Sequence, residues 1–193
     1  MKAAKRGIAF FLVCALFMSC LSTLCLANTL GIKKVKQAKT NWCWAACAEM
    51  ASNWENNSSG KTQWDIVQYV KGSFFTPYPN EGGTVSETIK GAEYGTNFLA
   101  NYNSQSMACS LSFIKNILSK YGNPVCAGCG YYENGKRNGG HMLVIHGHDD
   151  ASKILVCNPT TGKSEWVSYS YFLNGYGGRK YDQTVYTYFG SID

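Results

Sequence analysis

The spacing of apolar positions changes character near residue 124. Residues 42–54 carry Trp44, Cys47, Ala48 and Ala51 at helical spacing, with no Gly or Pro before Gly60. Residues 62–70 repeat the pattern through Trp64, Ile66, Val67 and Val70 and stop at Gly72. Thr84, with Glu87 three residues on, spells a capping box for a third short helix. Residues 112–121 read as a fourth, closed by Gly122 and Pro124. Beyond Pro124 the period falls to two, and 125–132, 141–148, 153–158, 164–169 and 183–189 predict strands split by Gly, Asn and Asp turns. Helices first and strands afterwards predict an α+β fold. Its helical half covers about 37–121, its antiparallel β half about 122–193, and a site belongs between them.

The N-terminus bears on the compartment. Lys2, Lys5 and Arg6 precede a charge-free stretch, 8–27, that ends in Cys25-Leu26-Ala27, a small-x-small site. This predicts a signal peptide over 1–27, a short segment over 28–36, a single globular unit over 37–193, and a secreted product. The alternative is an uncleaved anchor, since twenty apolar residues can just span a bilayer; only then is a membrane contact expected.

Composition narrows the classes further. Apolar residues make up 45% and charged residues 16%, which supplies a core and excludes wholesale disorder. The formal charge is +6, but with Lys2, Lys5 and Arg6 set aside 15 basic residues face 12 acidic ones. That is too weak and too scattered for a nucleic-acid surface. Of nine cysteines, Cys14, Cys20 and Cys25 fall in the leader. Cys43, Cys47, Cys109, Cys126, Cys129 and Cys157 remain. An even count in an exported protein suggests bridges, yet a chain of this length does not need them, which leaves room for a reactive thiol.

Cys43 supplies the candidate chemistry. It stands at the first turn of a predicted helix, where unpaired N–H groups and the helix dipole favour a thiolate. Its own N–H can serve an oxyanion, and Gln37, six residues upstream, can offer a second donor from its amide. Of the three histidines, His141 follows Gly139-Gly140 and faces opposite to His146 and His148 along a regular strand. If His148 pairs with Lys153 across the Asp149–Ser152 turn, Asn158 lies opposite Leu143 and shares the face of His141, where its amide can orient the imidazole.

Gln37, Cys43-Trp44, Gly140-His141 and Asn158, in this order and at these spacings, resemble the papain-like cysteine peptidases. Asn41-Trp42-Cys43-Trp44-Ala45-Ala46 is most similar to compact bacterial members of the staphopain-like and plant-pathogen-effector kind. The resemblance implies a papain-like fold with Cys43 as nucleophile, His141 as base, Asn158 as its orienter and Gln37 in the oxyanion hole. It implies a peptide or protein substrate and neither cofactor nor metal; a monomer is expected. Pro159 departs from plant-type members, in which a Ser and a shielding Trp follow the Asn; Trp166 is the candidate replacement. The nine residues from Asn28 to Lys36 are too few for a folded inhibitory pro-domain. Two rivals stand beside this reading: a cell-wall amidase or endopeptidase with Cys-His chemistry, and a non-enzymatic secreted binding domain held by disulfides or by zinc on Cys47, Cys126, Cys129 and a His.

Overall fold

The computed structural model describes residues 27–56, 60–72 and 78–187; the predicted leader, but for its last residue, lies outside them. Strand β1 (Asn28–Thr29) is followed by α1 (Cys43–Glu55), α2 (Gln63–Lys71) and α3 (Val85–Gly95). Then come β2 (Tyr102–Gln105) and α4 (Leu111–Asn116), which runs on as a π turn over Ile117–Tyr121. The remaining elements are β3 (Val125–Glu133), β4 (Lys136–His148), β5 (Lys153–Asn158), β6 (Lys163–Ser168), α5 (Tyr169–Gly175) and β7 (Lys180–Thr187).

Each helix has a local cause. Residues 44–53 of α1 are all buried, and alanines at 45, 46, 48 and 51 let neighbours approach on every side. Helices α2 and α3 both start on complete capping boxes, Thr62/Asp65 and Thr84/Glu87. Gly72 closes α2 and Gly122 the π turn, both in the left-handed region that favours glycine.

The strands form one seven-stranded antiparallel sheet in the order β2-β7-β3-β4-β5-β6, with β1 on β4. Helix α1 lies against β4 on one side and α3 on the other. Trp42, Trp44, Met50, Leu143, Ile145 and Phe172 fill the core, each no more than 1% exposed. The start of α1 therefore faces the middle of β4, which is what positions the site.

Three elements depart from the sequence pattern. Strand β4 begins at Lys136, not at 141, because an exposed hairpin arm with polar residues carries no apolar alternation. Strand β2 and helix α5 have no sequence counterpart; β2 is four residues long, and α5 begins where the alternation predicts the end of a strand. The β4–β5 register also differs at the turn. His148 pairs with Ile154, not with Lys153, and a bulge at His146 takes up the extra residue. Beyond it Ile145 faces Val156 and Val144 faces Cys157, the register expected at the site.

Candidate active site

Cys43 is the first residue of α1, and Trp42 before it adopts non-helical angles with no side-chain cap. The first N–H groups of a helix have no intrahelical acceptor, so the Cys43 N–H is available at the helix mouth. Trp42 and Trp44 anchor this start. The Trp42 Nε1–H donates to the Pro79 carbonyl at 2.8 Å and the Trp44 Nε1–H to Glu81 at 3.2 Å. Asn41 donates two hydrogen bonds to Asn80, from its backbone N–H to Oδ1 and from its side-chain amide to the carbonyl, so residues 78–83 run strapped alongside 39–44. Gly83 lies flat on the Trp44 indole, where a Cβ would come within 2.3 Å of Cγ.

Across the cleft β4 delivers His141, which shares a side-chain hydrogen bond with Cys43. His141 Nε2 meets Asn158 Oδ1 at 2.9 Å, so the tautomer that satisfies both contacts donates to the Asn oxygen. Burial raises the Cys43 thiol, but the hydrogen bond and charge of His141, together with the N–H groups of Met142 and Trp44, outweigh it and leave the thiol below its ordinary value. Burial lowers the imidazole, yet Cys43 and then Asn158 raise it above its own. The two shifts bring thiol and imidazole closer together, the direction that favours a thiolate–imidazolium pair.

Cys43, His141 and Asn158 are thus brought together. Gln37 is not aimed as expected of an oxyanion donor. Its Nε2 donates to the Lys39 carbonyl at 2.9 Å and the Thr40 carbonyl at 2.6 Å, which uses both amide hydrogens. Its Oε1 accepts from Thr160 Oγ1 at 3.4 Å. Trp166 does not shield the pair either. It sits opposite Leu155 and shares that residue's face, the one turned away from Asn158, and is 41% exposed.

Thr160, which the sequence pattern does not single out, takes the flanking place. Its N–H donates to Asn158 Oδ1 at 3.0 Å, and its hydroxyl lies 3.3 Å from His141 Nε2. Two residues past the Asn, in a Pro-Thr-Thr-Gly turn, it has no spacing to give it away.

The other histidines are spoken for elsewhere. His146 contacts the Leu30 carbonyl and Ser164 Oγ at 2.9 and 2.8 Å, and His148 meets Ser119 Oγ at 2.6 Å. Asp149 is a turn residue, its Oδ1 accepting from the Lys153 N–H. All six cysteines beyond the leader are free. Burial pushes Cys126 and Cys129 up to about 12, so both thiols stay protonated in the core. Among the described residues no three His, Cys, Asp or Glu side chains gather as metal ligands would.

A cleft of about 400 Å³ runs past the pair. Cys43, Trp44 and Thr84 border it from the helical side, and Gly140, His141 and Gln183 from the sheet. Five of its fifteen lining residues are glycines, so an extended chain can approach backbone on both walls.

Comparison with known proteins identifies the family and the fold. Residues 29–190 match the model of the Peptidase_C39 like family. A double glycine motif protease from an AMS/PCAT transporter, solved in complex with its leader peptide, shares the fold with a TM-score of 0.56. It is 12% identical, over 83% of this chain and 94% of that one. UfSP from C. elegans superposes with a TM-score of 0.55 at 12% identity, over 92% of this chain and 37% of that one. No curated protein matches.

Proposed function

The chain belongs to the Peptidase_C39 like family and is a papain-like cysteine peptidase, and from that premise we propose that Cys43, His141 and Asn158 hydrolyse peptide bonds in an exported enzyme. The observation that carries the reading is His141 held between Cys43 and Asn158 at the head of the cleft. The Cys43 thiolate attacks the scissile carbonyl carbon, and the oxyanion meets the Cys43 N–H. His141 hands its proton to the leaving amine, leaving a thioester. The neutral imidazole then takes a proton from the water that hydrolyses it. Asn158 fixes the ring through both steps. Gln37 becomes the second oxyanion donor by exchanging one of its two carbonyl partners for the developing charge, since catalytic contacts in an empty site tighten only with substrate.

The substrate is an extended polypeptide. Glycine walls favour recognition of main chain, with small residues next to the scissile bond; a peptide leader of the kind bound to the double glycine motif protease suits such a cleft. The charge-free stretch behind Lys2, Lys5 and Arg6 supports action after export. The test is hydrolysis of a broad peptide library read by mass spectrometry. Wild type cleaves, and His141→Ala loses several orders of magnitude while staying folded. His141→Ala with full activity refutes the assignment.

A further inference from the structure

Arg137 is the one lysine, arginine or acidic residue among the residues lining the cleft. It stands on β4, four residues before His141, with its side chain about a third exposed. Its setting is built. Nε donates to Asp182 Oδ2 at 2.8 Å, and the Tyr132 hydroxyl donates to the same oxygen at 2.7 Å. Asp182 is thereby held as a strut under the guanidinium.

Glycines floor the seat. Gly130 and Gly140 face each other across β3 and β4. A Cβ at Gly140 would lie 2.4 Å from Arg137 Nη2, and one at Gly130 would lie 2.8 Å from Nε and 2.3 Å from Asp182 Oδ2. The guanidinium occupies the space two side chains would need. Only its Nε edge is used; Nη1 and Nη2 have no partner among the described residues. Among the charges around the buried Cys129, Asp182 acts most strongly, then Arg179 and Arg137, so two guanidinium groups and one carboxylate gather at this spot.

We propose that Arg137 is a specificity-determining residue that grips a carboxylate of the substrate within one or two residues of the scissile bond. The free Nη edge offers the two parallel N–H groups that match a carboxylate. Gly140, against which Nη2 lies, directly precedes His141, and adjacent Cα atoms are about 3.8 Å apart. This rests on the reading of the cleft as a peptide site. The carboxylate belongs either to an Asp or Glu side chain or to a free C-terminus.

The test separates these sources and does not need turnover. In the full chain carrying Cys43→Ala, binding is measured for amide-capped Gly/Ala/Ser decapeptides with Glu scanned through each position, for their Gln twins, and for the neutral sequence with a free C-terminal carboxylate. A carboxylate peptide is expected to bind about tenfold or more tighter than its amide twin, since a charge-assisted pair is worth that much. Adding Arg137→Gln brings the ratio to about one, and Arg137→Lys recovers only part of it. Preference for scanned Glu assigns a side chain; preference for the free acid alone assigns a C-terminus. A ratio near one at every position and terminus, or one that survives Arg137→Gln in a variant of unchanged Tm, overturns the proposal. The peptidase reading fails separately: wild type then cleaves none of these peptides although the ratio holds.

Discussion

Gly83→Ala probes how the cleft wall is held. The new Cβ would stand 2.3 to 2.7 Å from three Trp44 ring carbons, against roughly 3.5 Å for an ordinary carbon contact. One partner must retreat by about 1 Å. Trp44 cannot, being 1% exposed, tied through Nε1 to Glu81 and covered by the Lys71 ammonium 5.5 Å from its ring. The Gly82–Gly83 wall therefore moves outward and strains the Lys71 Nζ bond to the Gly82 carbonyl, now 3.1 Å. Overpacking of this kind costs about 1–3 kcal/mol. For a domain of this size that lowers Tm by about 2–12 °C. A displacement of about 1 Å beside the nucleophile can lower kcat/KM by about a hundredfold. The control is the neighbouring residue: an added Cβ at Gly82 meets nothing within 4 Å, so Gly82→Ala is expected to leave Tm within about 2 °C. Calorimetry and peptide hydrolysis read both variants. Gly83→Ala with Tm and kcat/KM both like wild type would refute the packing argument, as would equal losses in the two variants.

The site and its surroundings set three further outcomes. In His141→Ala the Cys43 thiol loses the partner that lowers it while burial remains, so the pH profile of iodoacetamide alkylation moves to higher pH; an unmoved profile shows that the imidazole does not activate the thiol. Gln37→Ala is expected to lower kcat by about a hundredfold with KM little changed, whereas loss of Tm alone with wild-type kcat assigns Gln37 to the 39–40 turn. Burial raises Glu55 to about 7, and its Oε1 has no partner among the described residues, so the folded state resists its ionisation. The penalty is absent below the ordinary carboxylate range and complete above pH 7; Glu55→Gln should raise Tm at pH 8 and not at pH 4, and equal Tm changes at both would contradict the burial argument.

Much of the site is legible in the sequence because its parts are local. The helix that starts at Cys43 is marked by the apolar spacing of Trp44, Cys47, Ala48 and Ala51, and a hairpin returns Asn158 to His141 whatever its exact turn. The bulge at His146 shows the limit: an extra residue at the turn and an extra residue in the strand cancel, and the right register emerges from a wrong turn pairing. The Gln37 amide orientation depends on carbonyls that only the folded 39–40 turn presents. Thr160 acts through its backbone N–H, which no residue pattern reveals. Arg137 is conspicuous only once Gly130 and Gly140 are known to face each other.

The central claim is that one of six free cysteines, Cys43, is the nucleophile, and mapping of a thiol-directed epoxide tests it most directly. E-64 is added to the full chain, the modified peptide is located by mass spectrometry, and hydrolysis of the peptide library is measured in parallel. Among the six cysteines beyond the leader the account predicts a single adduct, on Cys43, with activity lost in proportion to its labelling, and neither that adduct nor hydrolysis in Cys43→Ala. The other five thiols are buried and raised by that burial, so they should stay unlabelled in the folded protein. Labelling of another cysteine with loss of activity, or undiminished hydrolysis by Cys43→Ala, would contradict it.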